Sequence, residues 1–109
     1  MNTNKSYHQI RSERIRLANE KSTHSKSEWL EMKVFFRNTC CKCFGESKLV
    51  NVEKDHIIPL YQGGSNHITN LQPLCARCNS SKGKENIDYR QQLCDFLKIQ
   101  LPSKYKQII

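Results

Sequence analysis

The chain lacks any apolar run that approaches the roughly 18 residues of a membrane span, which excludes a spanning helix. Its first residues, Met1-Asn2-Thr3-Asn4-Lys5, are polar and contain no apolar core, so no secretory signal is read there. The expectation is a cytoplasmic protein without a membrane partner, in a compartment where thiols stay reduced. Internal repeats and low-complexity segments are also missing, which excludes a repeat architecture. Acidic residues are scarce: 10 Asp and Glu face 18 Lys and Arg, for a net charge of +8. That imbalance favours a polyanionic partner, with nucleic acid foremost. No single basic block carries it, since residues 1–39 hold +4 and residues 40–85 and 86–109 hold +2 each. A chain of 109 residues reads as one compact domain. A core this small is often reinforced by a metal or by disulfides. Six cysteines in a reducing compartment point to the metal.

Along the chain, residues 1–22 are polar and basic, with a weak apolar stripe at Ile10, Ile15 and Leu17. They read as an N-terminal arm or helix placed to touch DNA. Ser25 or Ser27 is expected to cap a helix running through about Asn38, with Trp29, Leu30, Val34 and Phe36 on its buried face. Lys48 to Ile58 is rich in Val and Ile and reads as a β-hairpin whose second strand delivers Asp55 and His56. Tyr61 to Asn66, with Gly63-Gly64, is a loop. Thr69 or Asn70 is expected to start a short turn limited by Pro73. A helix is expected from Asn79, broken near Gly83. Another is expected over 87–101, with Tyr89, Leu93, Phe96, Leu97 and Leu101 on one face and Pro102 as its stop. Residues 103–109 have no clear pattern.

The cysteines supply the first strong signal. Cys40/Cys43 and Cys75/Cys78 are both Cys-x₂-Cys pairs. Two residues between thiols let both sulfurs reach one ion from a tight turn. Two such pairs complete a tetrahedral four-sulfur site, for which zinc is the natural occupant. The 31 residues between the pairs must hold an inserted element, the hairpin and the glycine loop. The bland alternative is four cysteines acting as small core hydrophobes. Zinc bound here is worth on the order of 10 kcal/mol to folding. Cys41 stands too close to Cys43 for the knuckle and is left out, while Cys94 falls near an apolar stripe and reads as core.

Enclosed by the clip are Asp55-His56-Ile57-Ile58-Pro59-Leu60, then Gly63-Gly64, then Asn70-Leu71. Asn79 and Lys82 follow its last cysteine. Adjacent strand residues face opposite ways, so Asp55 and His56 share a site only if the strand ends there, which Pro59 supports. An Asp oxygen suits Mg²⁺ or Mn²⁺, and a neutral His can take a proton from water. Taken alone, the pair could equally be structural.

The ordered set Cys-x₂-Cys, Asp-His-x₂-Pro-Leu, Gly-Gly, Asn-Leu, Cys-x₂-Cys-Asn-x₂-Lys resembles the HNH endonuclease family over residues 40–82. The resemblance implies an α+β fold: a small ββα-metal, treble-clef-like domain with flanking helices and a structural zinc. The implied organisation is an arm over 1–22, a nuclease core over 23–86, and a C-terminal helix and tail over 87–109. His56 then corresponds to the general base, and Asn70 to the middle residue that braces the loop and orients the His. Asp55 and Asn79 correspond to ligands of a catalytic Mg²⁺ or Mn²⁺. Asn79 takes the place usually held by a His, making the chain an H-N-N variant. The loss of that imidazole speaks against Ni²⁺ or Zn²⁺ as the catalytic ion. Lys82 reads as a phosphate contact, with Arg77 and Lys84 as further candidates. His67 reads as a solvent-exposed loop residue. The implied activity is metal-dependent hydrolysis of DNA, most simply double-stranded, in a bacterial or phage-infected cell. The alternative is a non-catalytic zinc module that binds nucleic acid. Oligomeric state is not legible.

Overall fold

A computed structural model describes residues 23–45 and 51–107. The arm expected over 1–22 and the first residues of the expected hairpin, 48–50, lie outside them. The order is helix α1 (Lys26–Phe35), strand β1 (Glu53–His56), 3₁₀ turns at Leu60–Gln62 and Ile68–Asn70, and strand β2 (Leu71–Leu74). Helix α2 (Ala76–Lys82), helix α3 (Arg90–Leu97) and a 3₁₀ turn at Ser103–Tyr105 complete it. The fold is α+β, with one two-stranded sheet among the described residues. No helix there is long and apolar enough to cross a membrane.

Helix α1 begins at Ser25, whose Oγ accepts from Glu28 N–H at 3.0 Å while Glu28 Oε1 accepts from Ser25 N–H at 2.9 Å. This reciprocal pair satisfies two otherwise orphaned donors. The helix ends at Phe35, short of Asn38, because Arg37 and Asn38 turn left-handed at φ 56° and 50°. Its buried face is only in part the expected one, since Phe36 and Trp29 pack on the core but Leu30 and Val34 do not. Met32 and Phe36 are fully buried, while Leu30 and Val34 are 49% and 77% exposed. In so polar a helix the apolar residues form two overlapping stripes. Packing around Leu71, Leu93 and Tyr105 selects the one carrying Trp29, Met32 and Phe36.

Strand β1 finds its partner in β2, antiparallel, with Asp55 opposite Gln72 and His56 opposite Leu71. Pro73 therefore lies inside a strand rather than limiting a turn. The register explains why it is tolerated. Ile57 N–H donates to Asn70 O at 2.8 Å. Alternation from there makes Lys54/Pro73 a non-hydrogen-bonded pair, where a missing N–H costs nothing. The outward carbonyl of Pro73 accepts from Cys41 N–H at 3.0 Å, tying the first cysteine turn to the strand that leads into the second.

Helix α2 starts before Asn79. Cys75 is its N-cap, accepting from Cys78 N–H through Sγ, and Gly83 at φ 55° closes it. Helix α3 stops at Leu97, well before Pro102, because Lys98 adopts φ 58°. Leu101 and Tyr105 enter the core from the segment beyond it. Phe96 does not join the buried face: it is 60% exposed and stacks on Phe44 at 4.7 Å. Arg90 is almost wholly buried, bonded to Asp88 Oδ2 at 2.8 Å and to the Tyr105 carbonyl. Cys41 and Cys94 are core residues.

Candidate active site

The four spaced cysteines meet. The Sγ atoms of Cys40, Cys43, Cys75 and Cys78 all lie within 4.8 Å of one another, with Cys43 and Cys75 at 3.9 Å. Zinc bonded to sulfur at about 2.3 Å makes a tetrahedron whose edges are about 3.8 Å, so the cluster has the size such an ion needs. The backbone favours thiolate too. Burial alone raises the Cys40 thiol, but backbone hydrogen bonds at Cys43, Cys75 and Lys42 outweigh it and bring it to about 7. Burial and the neighbouring sulfurs push Cys78 up. A divalent cation bound there would resolve that conflict by holding all four thiols deprotonated.

Behind the clip is a cleft of about 490 Å³ lined by Lys54, Asp55, His56, Tyr61, Asn79 and Lys84, among others. Strand β1 ends at His56 and the chain bends at Ile57, which lets consecutive residues reach one hollow. Asp55 is buried, and its Oδ2 takes both Gln72 Nε2 at 2.9 Å and Lys82 Nζ at 3.3 Å. Helix α2 carries Asn79 to the same cleft, where its Nδ2 donates to Glu53 Oε1 at 3.0 Å. That bond occupies the amide nitrogen rather than the oxygen a cation needs. One carboxylate and one amide oxygen are a hard donor set, suited to Mg²⁺ or Mn²⁺.

His56 is half-buried, and burial lowers its pKa below the ordinary imidazole value. The Asn66 bond and the Asp55 charge partly oppose that shift. Its Nε2 lies 2.8 Å from Asn66 Oδ1.

Asn70 sits one layer back. Its Oδ1 accepts from Ile58 N–H at 3.0 Å, and its Nδ2 donates to Ile58 O at 3.0 Å and Ser65 O at 2.7 Å. One side chain thus clamps both edges of the loop that follows His56. The two glycines serve the same loop. Gly63 turns at φ 93°, and a Cβ on Gly64 would lie 1.8 Å from Ile58 O and 3.0 Å from Asn70 Nδ2.

The basic residues divide. Lys84 lines the cleft with its Nζ 5.4 Å from the Tyr61 ring centre, and Arg77 is exposed on the first turn of α2. Lys82, expected as a phosphate contact, is instead buried against Asp55 and donates to His56 O at 3.3 Å. An ammonium enclosed in this way cannot meet a phosphate at the surface. His67 is half-buried rather than exposed, accepting from Thr69 N–H at the start of a 3₁₀ turn, and it borders a different groove with Glu28 and Glu31.

Sequence reading missed several residues. Gln72, fully buried, donates to Asp55 and Ile87 O and accepts from Tyr89 N–H at 2.8 Å, joining the sheet to the approach to α3. Thr23, His24, Lys54 and Asn66 form a network behind His56. No local motif marks any of them, because each partner is more than ten residues away in sequence or lies in the loop.

Residues 39–85 match the family model described as HNH endonuclease. No curated protein and no solved structure matches the chain. The matched segment contains both cysteine pairs and every residue named for the cleft. The segment 39–85 is therefore similar to the HNH endonuclease family.

Proposed function

We propose that this protein is a metal-dependent endonuclease that hydrolyses phosphodiester bonds in double-stranded DNA. The observation that carries the reading is the convergence of Asp55, His56 and Asn79 on one cleft beside a four-cysteine clip. His56 takes a proton from water through a ring nitrogen, and the resulting nucleophile attacks phosphorus. Burial lowers its pKa, which favours the neutral ring that a base requires. Asn70 holds the Ile58 loop so that the imidazole does not swing away from the scissile group. Asp55 and Asn79 would hold Mg²⁺ or Mn²⁺, which when bound polarises the phosphate and stabilises the leaving oxygen. Lys84 and Tyr61 rim the cleft, and Arg77 lies exposed on α2 beyond it, as contacts for the DNA backbone. The clip would hold zinc and fix α2, and with it Asn79, against β1.

One observation favours a second reading. The Lys82–Asp55 pair already neutralises the carboxylate, as in a domain that binds nucleic acid without cutting it. Nicking of supercoiled plasmid separates the two. The nuclease reading expects cleavage that EDTA stops and added Mg²⁺ or Mn²⁺ restores, and that the His56→Ala variant lacks. Plasmid retention without nicking under any of these conditions supports the binding module.

A further inference from the structure

We infer that Asn66, latched from behind by Thr23 and His24, is a positioning residue that places the proton of His56 on Nε2 and leaves Nδ1 as the basic nitrogen. This rests on His56 being the base proposed above.

Proton counting along the bonds that link Thr23, Asn66 and His56 gives the assignment. Thr23 Oγ1 donates to His24 O at 3.5 Å, so its lone pair is free to accept. Asn66 Nδ2 donates to that oxygen at 3.0 Å. The amide is thereby turned with Oδ1 toward His56 Nε2, 2.8 Å away. An amide oxygen only accepts, so Nε2 carries the hydrogen. A neutral imidazole has one N–H, and the bare nitrogen is Nδ1.

The backbone of residue 66 is held by a second bond with the same logic. His24 Nδ1 lies 2.6 Å from Asn66 O, which also only accepts, so His24 Nδ1 carries its proton. His24 Nε2 is then bare and accepts from Lys54 Nζ at 2.7 Å. Lys54 in turn lies 5.6 Å from the centre of the Trp29 ring, on α1. Both ends of Asn66 are therefore fixed by residues just ahead of α1, 42 or 43 positions away in sequence. His56 is oriented by a side chain from outside the Asp-His, Asn and Asn motif residues. Clamping by Asn70 sets where the loop runs, and Asn66 sets which nitrogen of His56 faces the reaction.

The test is a long-range ¹H–¹⁵N correlation on the full chain with labelled histidine, zinc-loaded, at a pH where the ring is neutral. Wild type is expected to show His56 protonated on Nε2. Asn66→Leu removes the acceptor, so His56 should populate both tautomers. The rate of plasmid nicking at saturating DNA should fall by about 10–100-fold, as for other partners that orient a working His. KM for DNA should stay the same. Asn66→Asp keeps an acceptor there and should keep the Nε2–H form. Thr23→Val frees the amide to flip and should also give mixed tautomers, should Asn66→Leu not fold. A wild-type ring protonated on Nδ1, or a single Nε2–H form surviving in Asn66→Leu and Thr23→Val, overturns the assignment. Wild-type nicking by His56→Ala would instead remove the base reading, while the tautomer measurement would stand on its own.

Discussion

The clip and the cleft are neighbours built in different ways. Each half of the clip is local: two cysteines three positions apart on a tight turn, so a single ion would do the long-range joining. Within the cleft, Asp55 is satisfied by Gln72 and Lys82, His56 by Asn66, and Asn79 by Glu53. Its order depends on many directional bonds between distant residues. The contrast implies that the clip fails all at once, whereas the cleft fails one residue at a time.

Breaking the clip should have the largest effect. Cys75→Ser removes one of the four clip sulfurs while leaving a hydroxyl that can still cap α2. Zinc binding of this kind contributes on the order of 10 kcal/mol, more than many small domains have to spare. The expected result is loss of zinc by elemental analysis together with loss of the cooperative thermal transition.

Next is the buried ion pair. Lys82→Met strands the Asp55 carboxylate beside Gln72 and should cost about 3–5 kcal/mol in chemical denaturation. Adding Asp55→Asn to the same chain should recover most of that loss, because no buried charge then lacks a partner. A double variant as unstable as the single one would mean that Lys82 acts through packing or through His56 O.

Gly64→Ala probes the loop between the two centres. The added Cβ would meet a backbone carbonyl at 1.8 Å, and a carbonyl cannot swing aside as a side-chain tip can. A loss of about 1–3 kcal/mol is expected, with nicking reduced further because Ile58 and Asn70 shift together. Zinc content should not change, which separates loop from clip.

The smallest effect sharpens the comparison within the cleft. Asn79→Ala should raise the Mg²⁺ or Mn²⁺ needed for half-maximal nicking by about 10-fold. DNA affinity and the thermal transition should stay near wild type. His67→Ala, in the other groove, should leave that metal titration unchanged.

Legibility in the sequence followed the same division. Cys40, Cys43, Cys75 and Cys78 were readable because spacing alone defines a metal turn. Asp55, His56, Asn70 and Asn79 form an ordered set along the chain, and of these Asp55, His56 and Asn79 line one cleft. Burial was harder. Trp29, Met32 and Phe36 form the inner face of α1, yet Leu30 and Val34 fit an apolar stripe as well, and only contacts from distant segments decide between them. Pro73 resembled a turn residue because its tolerance in β2 depends on register with Lys54, which no local window contains. Lys82 read as a phosphate contact because its partner lies 27 positions away. Gln72, Arg90 and Asn66 carry no motif, and their importance comes from bonds that exist only in the folded chain.

Plasmid nicking by His56→Ala, with zinc content and thermal transition measured on the same preparation, tests the central claim most directly. His56 lies outside the clip, so the variant should keep its zinc, its transition and its DNA affinity. Its cleavage rate in Mg²⁺ or Mn²⁺ should fall by about 10²–10⁴. A folded, zinc-loaded His56→Ala protein that nicks DNA at the wild-type rate would contradict the account.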